Sequence, residues 1–180
     1  MAPVTRLAAS LGALLALACA APIRTELDLE DESGAIQKIA VVPVRIDPLL
    51  GYDVPSEAAS VLNARLLVAL ATETKFRVVD PAEANAILTG VVRRWVERDG
   101  SASGVRHPAS VWLALELRND TGRPIWTGTY EETQAPLSED VGSLPRAWER
   151  GFRWVTAEEL ADYGVRQLVR ALADEIETWS

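Results

Sequence analysis

Between residues 38 and 80 the hydrophobic residues change their spacing twice, which limits the fold to a mixture of strands and helices. Residues 38–46 (KIAVVPVRI) form an almost continuous β-branched run, typical of a strand buried on both faces. Apolar residues then recur at steps of three and four through residues 55–72, which predicts an amphipathic helix. Residues 76–79 (FRVV) predict a short second strand. Because Pro43 cannot donate to a neighbouring strand, one side of the first strand is expected to be an edge there.

The middle of the chain predicts a longer strand and a hairpin. Residues 86–96 have the pattern of a strand that leaves the core near Arg93. Residues 111–118 and 125–131 have alternating apolar positions and flank a turn-forming segment that contains Asn, Asp and Gly. These two runs are therefore expected to pair as an antiparallel hairpin.

The register of this hairpin follows from its leucines and the length of its loop. Leucines at alternate positions must face the core, and a five-residue loop then places Leu117 opposite Ile125. In this register Trp112 lies with Tyr130 on the other face. A slip of one residue would bring Trp126 to the leucine face, so we expect the first register.

The last element is predicted to be a helix that begins with a capping box. Thr156 and Glu159 have the spacing at which a hydroxyl and a carboxylate satisfy each other's free backbone donors at a helix start. An apolar stripe then continues to about residue 179. The expected fold class is α/β (α+β): a single mixed sheet of about five strands, with a helix after strand 1 and a long C-terminal helix packed on it. Residues 36–180 are expected to form this one domain.

The beginning of the chain resembles a bacterial export signal that ends in a lipidation site. Arg6 precedes an apolar run of about a dozen residues, which is too short to span a bilayer. The small residues before Cys19 resemble a lipobox, and Cys19 is the only cysteine in the chain. We therefore expect residues 1–18 to be a lipoprotein signal peptide and Cys19 to carry a palmitate-containing lipid. The alternative is ordinary cleavage beside Ala18, which would give a soluble periplasmic protein.

The residues that follow Cys19 predict a tether and a location. Residues 19–35 are polar and acidic, with little helical or strand periodicity, and are expected to be a flexible acidic tether. Ala20 follows the cysteine rather than Asp, which by resemblance to lipoprotein sorting rules favours the periplasmic face of the outer membrane over the inner membrane. The net charge of −8 argues against nucleic acid as a partner.

The sequence contains no group of residues that predicts catalysis or a metal site. His107 is the only histidine, and with Cys19 as the only thiol a His/Cys zinc site cannot form. A hydrolase would have to use His107 as its base, which remains the least favoured function. We predict no enzyme activity, no metal and no cofactor apart from the covalent lipid on Cys19.

Aromatic residues and arginines supply the candidate binding surfaces. The first candidate is the hairpin face that would carry Trp112, Trp126 and Tyr130, and its structural alternative is that a helix or loop covers this face. The second candidate is a basic and aromatic segment, residues 146–154, in an otherwise acidic chain. This segment is either a contact site for a partner or a turn that folds over the sheet edge. Its candidate residues are Arg146, Trp148, Arg150, Phe152 and Trp154.

The order of these segments is similar to that of a group of envelope lipoproteins. The relevant stretches are the lipobox, KIAVVPV at 38–44, FRVVD at 76–80 and ANAILTGVV at 84–92. They resemble the fold shared by the curli secretion lipoprotein CsgG, the penicillin-binding-protein activator LpoB and the amino-terminal domain of TolB. The resemblance covers residues 36–131 and implies a non-enzymatic adaptor or assembly subunit that binds an envelope protein, with homo-oligomers possible. The alternative is an auxiliary lipoprotein of a lipid or lipopolysaccharide transport system.

Overall fold

The computed structural model describes residues 23–28, 36–50, 53–101, 104–134 and 154–178. They form nine strands and two helices, which confirms the predicted α+β fold class. The strands are β1 (Ile23–Leu27), β2 (Lys38–Val41), β3 (Arg45–Ile46), β4 (Arg77–Val78), β5 (Ala86–Val96), β6 (Asp99–Ser101), β7 (Gly104–His107), β8 (Ser110–Asn119) and β9 (Pro124–Thr133). The helices are α1 (Ser56–Glu73) and α2 (Ala157–Glu177).

Seven strands form one mixed sheet. Its order is β1-β9-β8-β5-β2-β4, with β3 paired to β5 beyond the end of β2. Strands β5, β8 and β9 are antiparallel neighbours, whereas β2 and β3 run parallel to β5. Strands β6 and β7 form a separate two-stranded hairpin. The long antiparallel strands therefore form the centre of the sheet.

The run at residues 38–46 is two short strands, and the break between them lies around Pro43. The backbone N–H of Val44 donates to Asn63 Oδ1 of α1 at 3.4 Å, instead of to a strand. Pairing with β5 resumes at Arg45. The predicted continuous strand is therefore wrong at residues 42–44, because a proline without an N–H interrupts the ladder.

Strand β1 lies inside the segment that the sequence assigned to the tether. It pairs antiparallel with β9 over five positions, from Ile23 opposite Tyr130 to Leu27 opposite Trp126. Thr25 Oγ1 also donates to Glu175 Oε1 of α2 at 2.6 Å. The tether prediction is thus wrong for residues 23–27. The predicted signal peptide, Cys19 and the rest of the tether lie outside the described residues.

Both helices pack on the same face of the sheet, where they cover the core. Arg65 near the middle of α1 pairs with Glu158 at the start of α2, and Lys75 just after α1 pairs with Glu177 at the end of α2. The two helices therefore run parallel. Their buried side chains meet Leu88, Val92, Leu113, Leu115 and Leu117 of the sheet in one hydrophobic core.

Helix α2 begins with the predicted capping box. The N–H of Glu159 donates to Thr156 Oγ1 at 3.2 Å, and the N–H of Thr156 donates to Glu159 Oε2 at 3.0 Å. Glu97 Oε2 accepts from the N–H of Ala157 at 3.2 Å, so a second carboxylate lies at the positive end of the helix. The capping prediction is confirmed.

The hairpin register differs from the prediction by one residue. Leu117 lies opposite Trp126 and Arg118 lies opposite Pro124, so Ile125 is an extra residue in β9. This bulge reverses the alternation in β9, because one inserted residue exchanges the two faces of a strand. Ile125 and Trp126 are consequently both buried. Trp126 and Tyr130 share the leucine face instead of the opposite face.

No helix among the described residues is long and apolar enough to cross a membrane.

Candidate partner-binding face

The sheet face opposite the helices carries a groove of about 790 Å³. Most of its lining residues come from alternate positions of five strands, because successive residues of a strand point to opposite faces, and Leu115 and Gly128 are the exceptions. Threonines, arginines and glutamates surround one tryptophan. The lining residues are Arg24, Glu26, Arg45, Thr89, Val91, Arg93, Trp112, Ala114, Leu115, Glu116, Thr127, Gly128, Thr129 and Glu131.

Trp112 is half-buried in this groove and lies against two consecutive arginines. The guanidinium carbon of Arg93 lies 5.1 Å from the centroid of the indole ring, and that of Arg94 lies 5.6 Å from it. Consecutive strand residues normally point to opposite faces, but β5 has a register shift between Val92 and Arg94. The bulge explains how both cations reach one ring, where cation–π attraction favours them. It also returns Trp95 to the core, so β5 does not leave the core at Arg93 as predicted.

Some charges on this face are paired and others are not. Arg94 Nη1 lies 3.0 Å from Glu131 Oε1, and Arg118 Nε lies 2.5 Å from Glu116 Oε1. The side chains of Arg24 and Arg45, by contrast, form no ion pair or hydrogen bond with any described residue. Within the described part of the chain, the groove therefore contains two guanidinium groups whose hydrogen-bond donors have no protein acceptor.

Asp47 connects the groove to the turn that follows β3. Its Oδ1 accepts from the backbone N–H of Leu49 at 2.8 Å and of Leu50 at 3.1 Å, and its Oδ2 lies 3.4 Å from Arg93 Nε. The two backbone hydrogen bonds hold the pKa of Asp47 below its ordinary value, and Arg93 lowers it further. The carboxylate thus remains ionised and fixes the turn relative to β5.

The candidate binding residues from the sequence lie in three different places. Trp112 lies in the groove, as described. Trp126 and Tyr130 lie in the core beneath α2, so they are not part of the exposed face in this structure. Trp154 is half-buried, and its carbonyl accepts from Arg98 Nη1 at 3.5 Å. The predictions for Arg146, Trp148, Arg150 and Phe152 lie outside the described residues.

Two aromatic side chains are held in the core by glycines and carboxylates. Trp126 Nε1 donates to Glu175 Oε2 at 2.9 Å, and the hydroxyl of Tyr130 donates to Glu132. A Cβ on Gly164 of α2 would lie 2.3 Å from Tyr130 Cδ1. The aromatic excess on this hairpin therefore has a packing role.

His107 lies in the small hairpin of β6 and β7 and is not among the residues that line the groove. His107 is exposed at the end of β7, where it pairs with Asp99 in the small hairpin. No cluster of three or more His, Cys, Asp or Glu side chains that could hold a metal ion occurs in the described ranges. The groove combines charged and threonine side chains with Trp112 and a few aliphatic residues, so it can form hydrogen bonds and ion pairs as well as apolar contacts.

Sequence reasoning found Trp112 but missed the arginines around it. Arg24 was assigned to the tether, so it was not placed on the sheet. Arg45 was placed in the strand at 38–46, but a strand expected to be buried on both faces does not show which face its side chain would take. Arg93 and Arg94 share a face only because of a bulge, which a two-residue period does not reveal. The alternation of Thr89 and Val91 with buried neighbours was the one signal in β5 that pointed to this face.

Comparisons with known proteins show likeness in structure alone. No protein-family model matches the chain, and no curated protein matches it in sequence. Among solved structures it is similar to PelC from Paraburkholderia phytofirmans, a dodecamer, with a TM-score of 0.56 and 17% identity over 84% of this chain and 95% of that chain. A second crystal form of the PelC dodecamer gives the same TM-score of 0.56 at 16% identity, over 84% and 96% of the two chains.

Two further solved structures also match the chain. The hypothetical protein CT253 from Chlamydia trachomatis matches with a TM-score of 0.52 and 10% identity, over 79% of this chain and 98% of that chain. The lipoprotein GNA1162 from Neisseria meningitidis matches with a TM-score of 0.42 and 14% identity, over 64% and 97%. The specific resemblance to the CsgG, LpoB and TolB group stays a prediction. At identities this low, the PelC and CT253 matches show a shared fold.

Proposed function

We propose that this chain is a lipid-anchored envelope protein that acts as a non-enzymatic adaptor or assembly subunit, and that its groove face binds a protein partner. The observation that carries the proposal is a pair of arginines, Arg24 and Arg45, whose side chains have no partner among the described residues, in a groove that also presents Trp112. Tryptophan and arginine contribute more binding energy at protein interfaces than most residue types do. The lipobox-like sequence before Cys19 supports the anchor and the envelope location.

The position of the groove supports a binding role over a purely structural one. Both described helices pack on the other face of the sheet, so the described part of the chain leaves this face to solvent. Guanidinium groups form bidentate hydrogen bonds with carboxylates, which gives a contact both energy and direction. The partner we propose is therefore a protein surface that carries Asp or Glu side chains.

A second copy of the chain meets this description. The chain carries 26 Asp and Glu against 18 Lys and Arg, so it has an excess of the carboxylates that an arginine-bearing groove binds. The similar protein PelC is a dodecamer. A groove that binds a different surface of the next copy would form a head-to-tail contact, which closes into a ring when the rotation between copies permits it.

Photo-crosslinking in cells tests the binding face. A photoreactive amino acid replaces Thr89, which lines the groove, and in a matched control it replaces Val68, which is 60% exposed on α1. We expect a discrete adduct from position 89 and none from position 68. The mass of the adduct shows whether the crosslinked partner is a second copy of this chain or another envelope protein.

Substitutions of the groove residues complete this test. Trp112→Ala and Arg45→Glu should each remove the adduct while the circular dichroism spectrum stays that of the folded domain. An adduct of unchanged yield in both variants would show that the groove face is not the binding surface.

Incorporation of labelled palmitate tests the anchor separately. We expect label in the wild-type protein and none in Cys19→Ala. If the wild type takes up no label, the anchor is absent, whereas the crosslinking result still decides whether the domain is a binding subunit.

A further inference from the structure

The turn after β3 presents two leucines to solvent. Leu49 is 83% exposed and Leu50 is 49% exposed, the largest values among the exposed large hydrophobic residues of the described chain apart from Val68. Asp47 accepts hydrogen bonds from the backbone N–H groups of both leucines, so the turn is fixed in the conformation that exposes them. Because the two leucines are adjacent, they form a small contiguous apolar patch on an ordered turn, and contiguous exposed patches mark interaction sites more often than single exposed residues do.

The sheet register places this turn at the same end of the domain as the beginning of β1. Ile23 pairs with Tyr130, which pairs with Leu113 of β8. Leu113 in turn pairs with Val92 of β5, and Val92 pairs with Ile46. Ile23 and Ile46 therefore lie in one row across the sheet.

The strand directions show which way the chain leaves this row. Strand β3 is parallel to β5, whereas β1 is antiparallel to β9 and thus also to β5. The chain that precedes Ile23 and the chain that follows Ile46 therefore leave the sheet at the same end. Four strand spacings of about 4.8 Å put the two points roughly 19 Å apart along the row.

Cys19 precedes Ile23 by only four residues. Four residues reach at most about 14 Å when fully extended. A lipid on Cys19 would therefore hold this end of the sheet close to the bilayer surface, since the strand begins too early to leave a long tether between them. The exposed leucines lie on the side of the domain that the anchor holds toward the lipid.

We propose that Leu49 and Leu50 insert into the lipid bilayer that receives the Cys19 anchor, so that the domain is fixed in one orientation on the membrane. The inference rests on the lipidation at Cys19 proposed above. The occupant of this surface is the lipid interface, because the anchor and the leucines leave the same end of the domain. Two attachment points restrict rotation about the anchor and orient the groove face relative to the membrane.

Depth-dependent quenching tests this contact on the mature, lipidated protein in phospholipid vesicles. A cysteine introduced as Leu49→Cys or Leu50→Cys carries an environment-sensitive fluorophore, and the lipid on Cys19 blocks labelling there. The controls are Val68→Cys, a matched exposed apolar position on α1, and Asp120→Cys in the turn at the opposite end of the sheet. Nitroxide-labelled phospholipids are the quencher.

We expect the probes at 49 and 50 to shift their emission to the blue and to lose most of it to the nitroxide lipids. The probes at 68 and 120 should remain quenchable by aqueous iodide. If the probes at 49 and 50 behave like the two controls, the proposal is overturned. Protection from iodide without quenching by lipid would also overturn it, because the turn would then be covered by protein.

These outcomes are separate from failure of the anchor. Mass spectrometry of the same preparation shows whether Cys19 carries its lipid. If Cys19 is lipidated and the probes are not quenched, the membrane contact of Leu49 and Leu50 is contradicted but the anchor is not. If Cys19 is unmodified, the anchor that the proposal requires is contradicted.

Discussion

Single residues decide which aromatic side chains are available for binding. Ile125 is the extra residue of a bulge, and it turns Trp126 toward the core. Arg93 is the extra residue of a second bulge, and it brings two cations to Trp112. The sequence predicted both strands but neither bulge. Alternation of apolar residues predicts the register of a strand pair only when neither strand contains an extra residue.

Gly164 provides the clearest test at this scale. An alanine there would place its Cβ 2.3 Å from Tyr130 Cδ1, a distance at which the ring or the helix must move. Alanine favours the helix by about 1 kcal/mol, but overpacking in a core costs about 1 to 3 kcal/mol. We expect Gly164→Ala to lower the free energy of unfolding by about 1 kcal/mol in urea titrations.

The double variant Gly164→Ala/Tyr130→Leu distinguishes this clash from a general effect of the substitution. A smaller aliphatic side chain leaves room for the new methyl group, so the cost of Gly164→Ala should shrink or vanish in that background. An unchanged cost in both backgrounds would show that the ring contact is not its cause.

At the scale of elements, ion pairs align the two parallel helices. Arg65 pairs with Glu158, Glu73 with Arg170 and Lys75 with Glu177, in the same order along both helices. The sequence predicted both helices from their apolar stripes and α2 from its capping box. It did not predict that they lie side by side, because charged residues on a helix surface do not identify their partners in another helix.

The pair of Glu73 and Arg170 predicts a dependence of stability on pH. A hydrogen bond from Arg170 Nε at 2.8 Å holds the pKa of Glu73 below its ordinary value of 4.5. The folded state therefore binds a proton less readily than the unfolded state does. The stabilisation is present above pH 4.5 and is lost as the pH falls through the lower pKa of the folded protein.

Glu73→Gln removes this titration. We expect the variant to be less stable than the wild type at pH 7, and we expect the difference between them to narrow below pH 4.5, as measured by urea unfolding across the pH range. Glu83→Gln, which removes an exposed carboxylate in the turn after β4, is the matched control. A gap between wild type and Glu73→Gln that is constant with pH would contradict the prediction.

At the scale of the molecule, the position of β1 determines where the domain begins. The sequence predicted the domain from residue 36, because residues 19–35 are acidic and show little period. In the structure Ile23, Thr25 and Leu27 point toward the helices, and Arg24 and Glu26 point to the groove. An alternation of apolar and polar residues over only five positions is too short to predict a strand within a segment that is rich in charged residues. The error hid one wall of the groove and made the segment between Cys19 and the domain look longer than it is.

A domain that begins at Ile36 should consequently be less stable than one that begins at Ile23. It loses five paired positions on β9, the bond from Thr25 to Glu175 and the packing of Ile23 and Leu27. Hydrogen bonds of about 1 kcal/mol each and partial burial of two aliphatic side chains stabilise the longer protein, and the entropy lost in ordering five residues offsets much of this gain, so we expect a net loss on the order of 3 kcal/mol. Removal of β1 also leaves β9 as an exposed edge, so the shorter protein should aggregate more readily.

Thermal and urea unfolding of the two proteins measure this difference. The control begins at Ile23 and carries Arg24→Ala and Glu26→Ala, which keep the strand but remove its charges on the groove side. We expect the control to unfold near the midpoint of its parent, and the protein that begins at Ile36 to unfold well below it. Equal unfolding midpoints for all three proteins would mean that β1 adds little stability to the sheet. The short distance between Cys19 and β1 would then no longer constrain how the domain lies on the membrane.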